Sequence, residues 1–178
     1  MIPKVSVYLA VSADYYIARE DHSLDWLEHD PKGQDYGYNR FAKSVDLIVM
    51  GRKTFEKVLG FETWPYEGRT VIVLSRSLTK SDLAPVIARR VELLNMEPAE
   101  VLCYAEALGC THIYLDGGIT IQGFLAQGLV NEMILTVFPL LLGKGIPLFG
   151  PMDKEVALEV LDLKGYDSGL YQVHYRVK

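Results

Sequence analysis

The chain has 178 residues, 49% hydrophobic and 23% charged, which fits one globular domain able to bury roughly 70% of its unfolded surface without a metal or disulfide staple, and excludes disordered and fibrous architectures. Its net charge of −5, with no basic run longer than Arg89-Arg90, argues against a nucleic-acid partner, which would need a basic patch to neutralise phosphates. The two cysteines, Cys103 and Cys110, lack zinc-like or redox-like spacing, the start has no signal-peptide layout, and no apolar run could span a bilayer, so a cytoplasmic protein without a membrane partner is expected.

Residues 5–11 are apolar and rich in β-branched and aromatic side chains, the pattern of a buried strand. Residues 12–33 follow without a sustained period, carrying six acidic residues and Pro31. Loops of that length inside a compact domain are often functional lids, and Asp14-Tyr15-Tyr16-Ile17 and Leu24-Asp25-Trp26-Leu27 supply anchors to pack this one. Tyr38, Phe41, Ala42 and Val45 recur at three and four residues, predicting a helix over 34–44. Residues 47–50 read as a strand, and Gly51-Arg52-Lys53-Thr54 turns into a helix reaching about residue 59. After a turn marked by Pro65 and Gly68, residues 70–74 form the next strand. A helix over 97–108 is stopped by Gly109, a strand covers 112–115, and Gly117-Gly118 leads into a helix ending near Gly128. Residues 133–137 are again strand.

Continuous apolar strands alternating with amphipathic helices imply parallel pairing covered on both faces. The tail differs: 158–163 and 171–177 alternate apolar and polar around Asp167-Ser168-Gly169, an antiparallel hairpin. The expectation is one domain over 1–178, three-layer α/β/α, with a mostly parallel central sheet and an antiparallel C-terminal hairpin.

Ligands collect at the carboxyl ends of parallel strands, and three such ends stand out. At Met50-Gly51-Arg52-Lys53-Thr54, a tight strand exit, a helix start and two cations suit a phosphate; the plainer alternative is a capped helix with solvated charges. At Leu74-Ser75-Arg76-Ser77, a hydroxyl and a guanidinium suit an adenosine 2′-phosphate, although alone the segment reads as a surface turn. At Leu115-Asp116-Gly117-Gly118, followed by Ile119-Thr120-Ile121, the glycine pair lets backbone approach a ligand closely. Neither a dinucleotide-binding G-x-G-x-x-G nor a Walker spacing occurs, and the four histidines form no convincing metal set, so no metal is expected. Asp35, near the start of the first helix, is either a helix-start acid or a carboxylate that relays a proton or grips a heterocycle.

Taken together these segments resemble the dihydrofolate reductase superfamily over nearly the whole chain. Val49-Met50-Gly51-Arg52-Lys53-Thr54-Phe55-Glu56 is similar to its strand–turn–helix signature, and Pro65, Gly68-Arg69, Val73-Leu74-Ser75-Arg76 and Gly117-Gly118 follow in the same order. The resemblance implies NADPH as cofactor, held by Gly51, Arg52, Lys53, Thr54, Ser75, Arg76, Gly117, Gly118, Thr120 and Ile121. It implies Asp35 as the catalytic carboxylate, and Ala10, Asp14, Ile17 and Arg69 as substrate contacts. Asp116-Gly117-Gly118-Ile119-Thr120, Gly128-Leu129-Val130-Asn131-Glu132 and Phe138-Pro139-Leu140-Leu141-Leu142-Gly143-Lys144-Gly145 resemble the riboflavin-biosynthesis reductase branch, where homodimers are common. In that branch Ser-Leu-Asp-Gly stands where this chain has Ser12-Ala13-Asp14-Tyr15, and no deaminase motif is attached. The resemblance thus implies hydride transfer to a small heterocycle: the phosphoribosylamino-uracil of riboflavin synthesis first, dihydrofolate second. A non-catalytic NADP(H)-binding sensor is the alternative of another class.

Overall fold

A computed structural model describes residues 1–29 and 33–178; Pro31 of the acidic stretch lies outside them. Among these residues ten strands and five α-helices follow one another: β1 (Lys4–Ser12), β2 (Tyr16–Ala18), α1 (Tyr38–Ser44), β3 (Leu47–Gly51), α2 (Arg52–Val58), β4 (Thr70–Leu74), α3 (Pro85–Ala88), β5 (Val91–Leu94), α4 (Pro98–Ala107), β6 (His112–Asp116), α5 (Gly118–Ala126), β7 (Glu132–Phe138), β8 (Ile146–Pro147), β9 (Leu158–Gly165) and β10 (Tyr171–Val177). The main sheet has eight strands in the order β5-β4-β3-β6-β1-β7-β10-β9. Pairing is parallel from β5 through β7. It is antiparallel at β7–β10 and β10–β9, as the alternating tail predicts.

The period of two in the strands divides the core between the two sheet faces. Leu47, Val49, Ile72, Ile113 and Leu115 face α4 and α5, packing on Val101, Ala105, Ile121 and Phe124. The residues between them, Ile48, Met50, Val71, Val73 and Tyr114, face α1 and α2 and pack on Phe41, Phe55 and Val58. Burying such a side chain contributes about 1.5–3 kcal/mol. Both faces are covered, which explains the unbroken apolar strands and the three-layer architecture.

Two segments depart from the sequence expectation. Residues 12–33 contain β2 and a 3-10 turn at Asp25–His29, and β2 pairs antiparallel with β8. Three-residue strands are too short to show a period, so only the pairing reveals them. β5 also went unseen: Val91-Glu92-Leu93-Leu94 is a four-residue edge strand directly after two arginines.

Because β6 inserts between β3 and β1, the carboxyl ends of these central strands meet. The chain runs outward from β3 to β5 and then returns, and this change of direction opens a crevice where ligands bind in such sheets.

Candidate functional site

A cleft of about 850 Å³ occupies that crevice. Its floor is made by two helix starts. Gly51 ends β3 and Gly117 follows β6, and the hydroxyl of each neighbouring helix lies across from the other's glycine. A Cβ on Gly51 would stand 3.0 Å from the Thr120 Oγ1, and one on Gly117 would stand 2.2 Å from the Thr54 Oγ1. Gly117 also has φ +91°, a region L side chains rarely adopt, and a Cβ on Gly118 would meet the Pro147 carbonyl at 2.8 Å. Side chains are thus excluded where the ends of α2 and α5 present peptide N–H groups and threonine hydroxyls to the cleft. Such a surface suits an anion at close range.

The cations around this floor are partly engaged. The Arg52 Nε donates to Glu56 Oε1 at 2.6 Å and its Nη1 to Ser77 Oγ at 3.0 Å, so Arg52 ties α2 to the exit of β4. Lys53 stands 3.4 Å from the other Glu56 oxygen, and the Arg52 guanidinium holds the Glu56 carboxyl below its usual range. The Ser75 Oγ accepts the amides of Ser77 and Leu78 at 3.3 and 2.9 Å. Arg76 is exposed beside it and has no ion pair among the described residues. Leu74 lines the cleft, whereas Ser75 and Arg76 sit just past its edge.

The other half of the cleft is aromatic. Tyr38, Tyr66 and Tyr114 stand near Asp116, the last residue of β6, and Tyr8 lines the same half of the cleft. Burial pushes the Asp116 carboxyl up to about 6, against the hydrogen bonds of the Tyr66 hydroxyl and the Gly117 amide; Tyr66 donates to Oδ2 at 3.2 Å. Burial likewise raises the Tyr38 phenol to about 12. Tyr114 donates to the Tyr8 carbonyl at 3.1 Å, and the Tyr8 hydroxyl donates to the Tyr36 carbonyl at 2.6 Å. Trp26, fully buried, closes the far end edge-on to Phe138 with ring centroids 5.1 Å apart.

Of the residues expected from sequence, Ala10, Ile17, Asp35, Gly51, Arg52, Lys53, Thr54, Gly117, Gly118 and Thr120 line this cleft. Ile121 packs in the core with no exposed surface. Asp14 holds a loop. It accepts the Ser12 hydroxyl at 2.6 Å and the amides of Leu142 and Gly143 at 3.1 and 2.8 Å; burial is outweighed by these bonds, so its carboxyl titrates below the usual range. Arg69 lies in a second cavity behind Tyr66.

Asp35 is exposed at the cleft rim, and both of its oxygens serve the start of α1. Oδ1 accepts the Gly37 amide at 3.1 Å and Oδ2 the Asn39 amide at 3.0 Å. The Asn39 and Gly37 amides hold it below the usual carboxylate range. The two acids are thus pushed in opposite directions, Asp35 down by its amide donors and Asp116 up by burial. In the sequence Asp116 stands as an acid ending a buried strand, a signal that the glycine pair after it overshadows. The tyrosines carried no signal, because aromatic residues at strand and helix positions read as core. Among the described residues no group of His, Cys, Asp and Glu could hold a metal ion, and no helix is long and apolar enough to cross a membrane.

Comparison with known proteins places this geometry. The family model described as the RibD C-terminal domain matches residues 3–171. The uncharacterized protein YwjB of Bacillus subtilis (strain 168) is 31% identical over 174 residues, 97% of this chain and 97% of its own length. A protein of Shewanella sp. PV-4, named for riboflavin biosynthesis, has a crystal structure that matches with a TM-score of 0.90 at 36% identity, over 100% of this chain and 99% of that one. The deaminase/5-amino-6-(5-phosphoribosylamino)uracil reductase of Thermotoga maritima matches with a TM-score of 0.77 at 14% identity, over 98% of this chain and 56% of that one. Dihydrofolate reductase of Enterococcus faecalis, complexed with NADP(H), matches with a TM-score of 0.66 at 18% identity, over 98% and 96%. At these last two identities the likeness is one of fold, and the fold is dihydrofolate reductase-like, as the sequence resemblance implies.

Proposed function

The chain belongs to the RibD C-terminal domain family, and from that premise we propose that it is an NADPH-dependent reductase of a small heterocyclic substrate. The observation that carries this reading is the crossed floor of the cleft, Gly51 under Thr120 and Gly117 under Thr54, laid directly beside a half-buried acid, Asp116, whose carboxyl is pushed up to about 6. NADPH supplies the hydride when bound. Its phosphates would be held by the peptide N–H groups at Gly51–Thr54 and Gly118–Thr120 and by Arg52, with Ser75 and Arg76 placed to take the 2′-phosphate. The peptide N–H groups of the two helix starts suit a pyrophosphate, and the glycines at 117 and 118 let those starts close on Thr54 and the Pro147 carbonyl.

Reduction of a C=N or C=O bond also requires a proton. Asp116 supplies it, since its raised pKa keeps a protonated fraction near neutrality. Tyr66 orients the acid through Oδ2. Tyr8, Tyr38 and Tyr114, packed edge to face, give an aromatic wall for a ring. Asp35 orders the start of α1, which carries Tyr38, so it acts on the site through that helix. The first candidate substrate is a phosphoribosylamino-uracil and the second is dihydrofolate.

The active form is a homodimer. β9 ends the sheet and leaves Leu158, Val160, Leu161 and Leu163 exposed, and an apolar edge strand is an aggregation hazard unless it is covered. A second copy would cover it.

The test is an NADPH fluorescence titration, with each candidate substrate then added to the same cuvette. Saturable binding followed by oxidation on one addition supports the reading and selects the substrate. Binding without turnover on either favours a cofactor sensor, and absence of binding removes the cofactor assignment.

A further inference from the structure

At the end of the sheet opposite the cleft, the starts of β1, β6 and β7 bring polar side chains together beside the end of α1. Ser6 of β1 is fully buried. Its Oγ lies 2.7 Å from His112 Nε2 and 2.8 Å from Glu132 Oε1. On the far side of the imidazole, Nδ1 lies 2.9 Å from the carbonyl of Ser44, the last residue of α1. Glu132 is buried as well. Lys4 Nζ stands 2.6 Å from its Oε1, and His174 Nε2 of β10 stands 2.9 Å from its Oε2. None of these side chains lines the cleft. They do not form a nucleophilic triad, because the acid bonds the serine rather than the imidazole and the serine Oγ is closed to substrate.

The donors and acceptors in this cluster require an added proton. A carbonyl only accepts, so His112 Nδ1 carries a proton. An ionised carboxylate also only accepts, so the Ser6 hydroxyl gives its single proton to Glu132, and His112 Nε2 must then donate to Ser6. The other consistent arrangement protonates Glu132, which donates to Ser6 while Ser6 donates to a neutral His112. Both arrangements hold one proton more than a neutral imidazole and an ionised carboxylate carry together. Without it, one hydroxyl hydrogen faces two acceptors, and one short contact sets lone pair against lone pair. Glu132 Oε1 keeps Lys4 as a donor, whereas His112 Nε2 has no second donor among the described residues. The hydroxyl therefore turns to His112, and the Ser6–Glu132 contact opens.

The groups around the ring decide where the added proton sits. Burial, aided by Lys4, pushes the His112 imidazole down, against the Ser44 carbonyl, Glu132 and Asp46; Asp46 accepts the His112 amide at 3.0 Å. Phe41 of α1 faces the ring edge-on at 5.8 Å and carries no charge. Lys4, Ser6 and His174 hold the Glu132 carboxyl below its usual range against its own burial, and on β9 Asp162 stands opposite His174. The added proton thus resides on His112.

We propose that Ser6, His112 and Glu132 form a proton-operated clasp between the parallel strands and the β9–β10 hairpin, closed while they share one added proton and open once it is lost to water. Glu132 carries the change to the hairpin, since its second oxygen holds His174. The clasp goes beyond the reductase reading and uses none of the residues of the cleft.

The experiment is an NMR titration of the full 15N-labelled chain from about pH 4 to 8, the range in which imidazoles exchange protons. It follows the histidine ring nitrogens and the backbone amides. The expected result is a His112 ring protonated on both nitrogens at the acid end and on Nδ1 alone at the alkaline end. The same midpoint should recur in the Glu132 amide and as a second step in the His174 ring. Ser6→Ala should remove that step from Glu132 and His174. Glu132→Gln should lower the His112 midpoint by about one pH unit, as loss of a neighbouring charge does. Circular dichroism checks that each variant folds, and either one alone carries the test. A His112 ring that keeps one tautomer and one proton throughout overturns the proposal. So does a His112 titration that leaves Glu132 and His174 unmoved, a coupling that persists in Ser6→Ala, or a midpoint that Glu132→Gln leaves in place. Neither NADPH nor a substrate enters the measurement, so failure of the reductase reading is seen separately.

Discussion

The two halves of the cleft are built on different principles. The half under Gly51 and Gly117 is backbone and hydroxyl, held by contacts between residues adjacent in sequence to strand ends. The half around Asp116 is side chain: Tyr8 from β1, Tyr38 from α1, Tyr66 from the α2–β4 connection and Tyr114 from β6 converge from distant parts of the chain. The first half is packed too closely to admit side chains at Gly117 and Gly118. The second is tuned, because burial sets the proton affinity of the acid.

That contrast is sharpest at Gly117. Gly117→Ala places a Cβ 2.2 Å from Thr54 Oγ1 at a φ of +91°, so the two helix starts must separate. The expected outcome is loss of NADPH affinity by about a hundredfold together with about 2–4 kcal/mol of stability, read by fluorescence titration and thermal melting. Gly128→Ala, at φ +68° but with nothing near the added Cβ, should cost only about 1–2 kcal/mol and leave the affinity alone. Equal effects on affinity would mean that the cradle is not the cofactor site.

In the side-chain half, Asp116→Asn should lower kcat by about a hundredfold or more while the fold persists. Asp35→Asn should instead loosen the start of α1, where Asp35 accepts the Gly37 and Asn39 amides, with a far smaller effect on kcat. Steady-state kinetics showing the reverse order would return the catalytic role to Asp35.

The pH dependence separates the same two acids. Folding raises the Asp116 pKa from 3.8 to about 6, so the native state binds the proton more tightly than the unfolded chain does. Its contribution is fully present below pH 3.8 and is lost as pH rises to about 6. Asp35, held low, works in the opposite direction, with stability present above its ordinary value and lost as pH falls. Melting temperature against pH should therefore lose its decline across pH 4–6 in Asp116→Asn, and kcat/KM of the wild type should fall as pH rises past about 6. The smallest effect belongs to the far edge: Leu163→Lys on β9, an exposed position, should change monomer stability by about 0.5 kcal/mol or less while shifting sedimentation from dimer to monomer. A wild type that sediments as a monomer would refute the dimer outright.

The positions of most strands and helices were legible in the sequence because each depends on neighbours within a few residues. Hydrophobic periods marked β1, β3, β4, β6, β7 and the closing hairpin, and glycines marked the strand exits. The same locality made Gly51, Thr54, Gly117, Gly118 and Thr120 readable as one surface, since backbone room at a strand end is a local property. Only the tertiary structure decided which acid can exchange a proton. Asp35 and Asp116 are both carboxylates at element ends, and the difference lies in what surrounds them: two amides and open solvent for one, neighbouring tyrosines for the other. Burial and solvation are set by chain segments far apart in sequence, and so is the cluster around Ser6, which draws on β1, β6, β7 and β10.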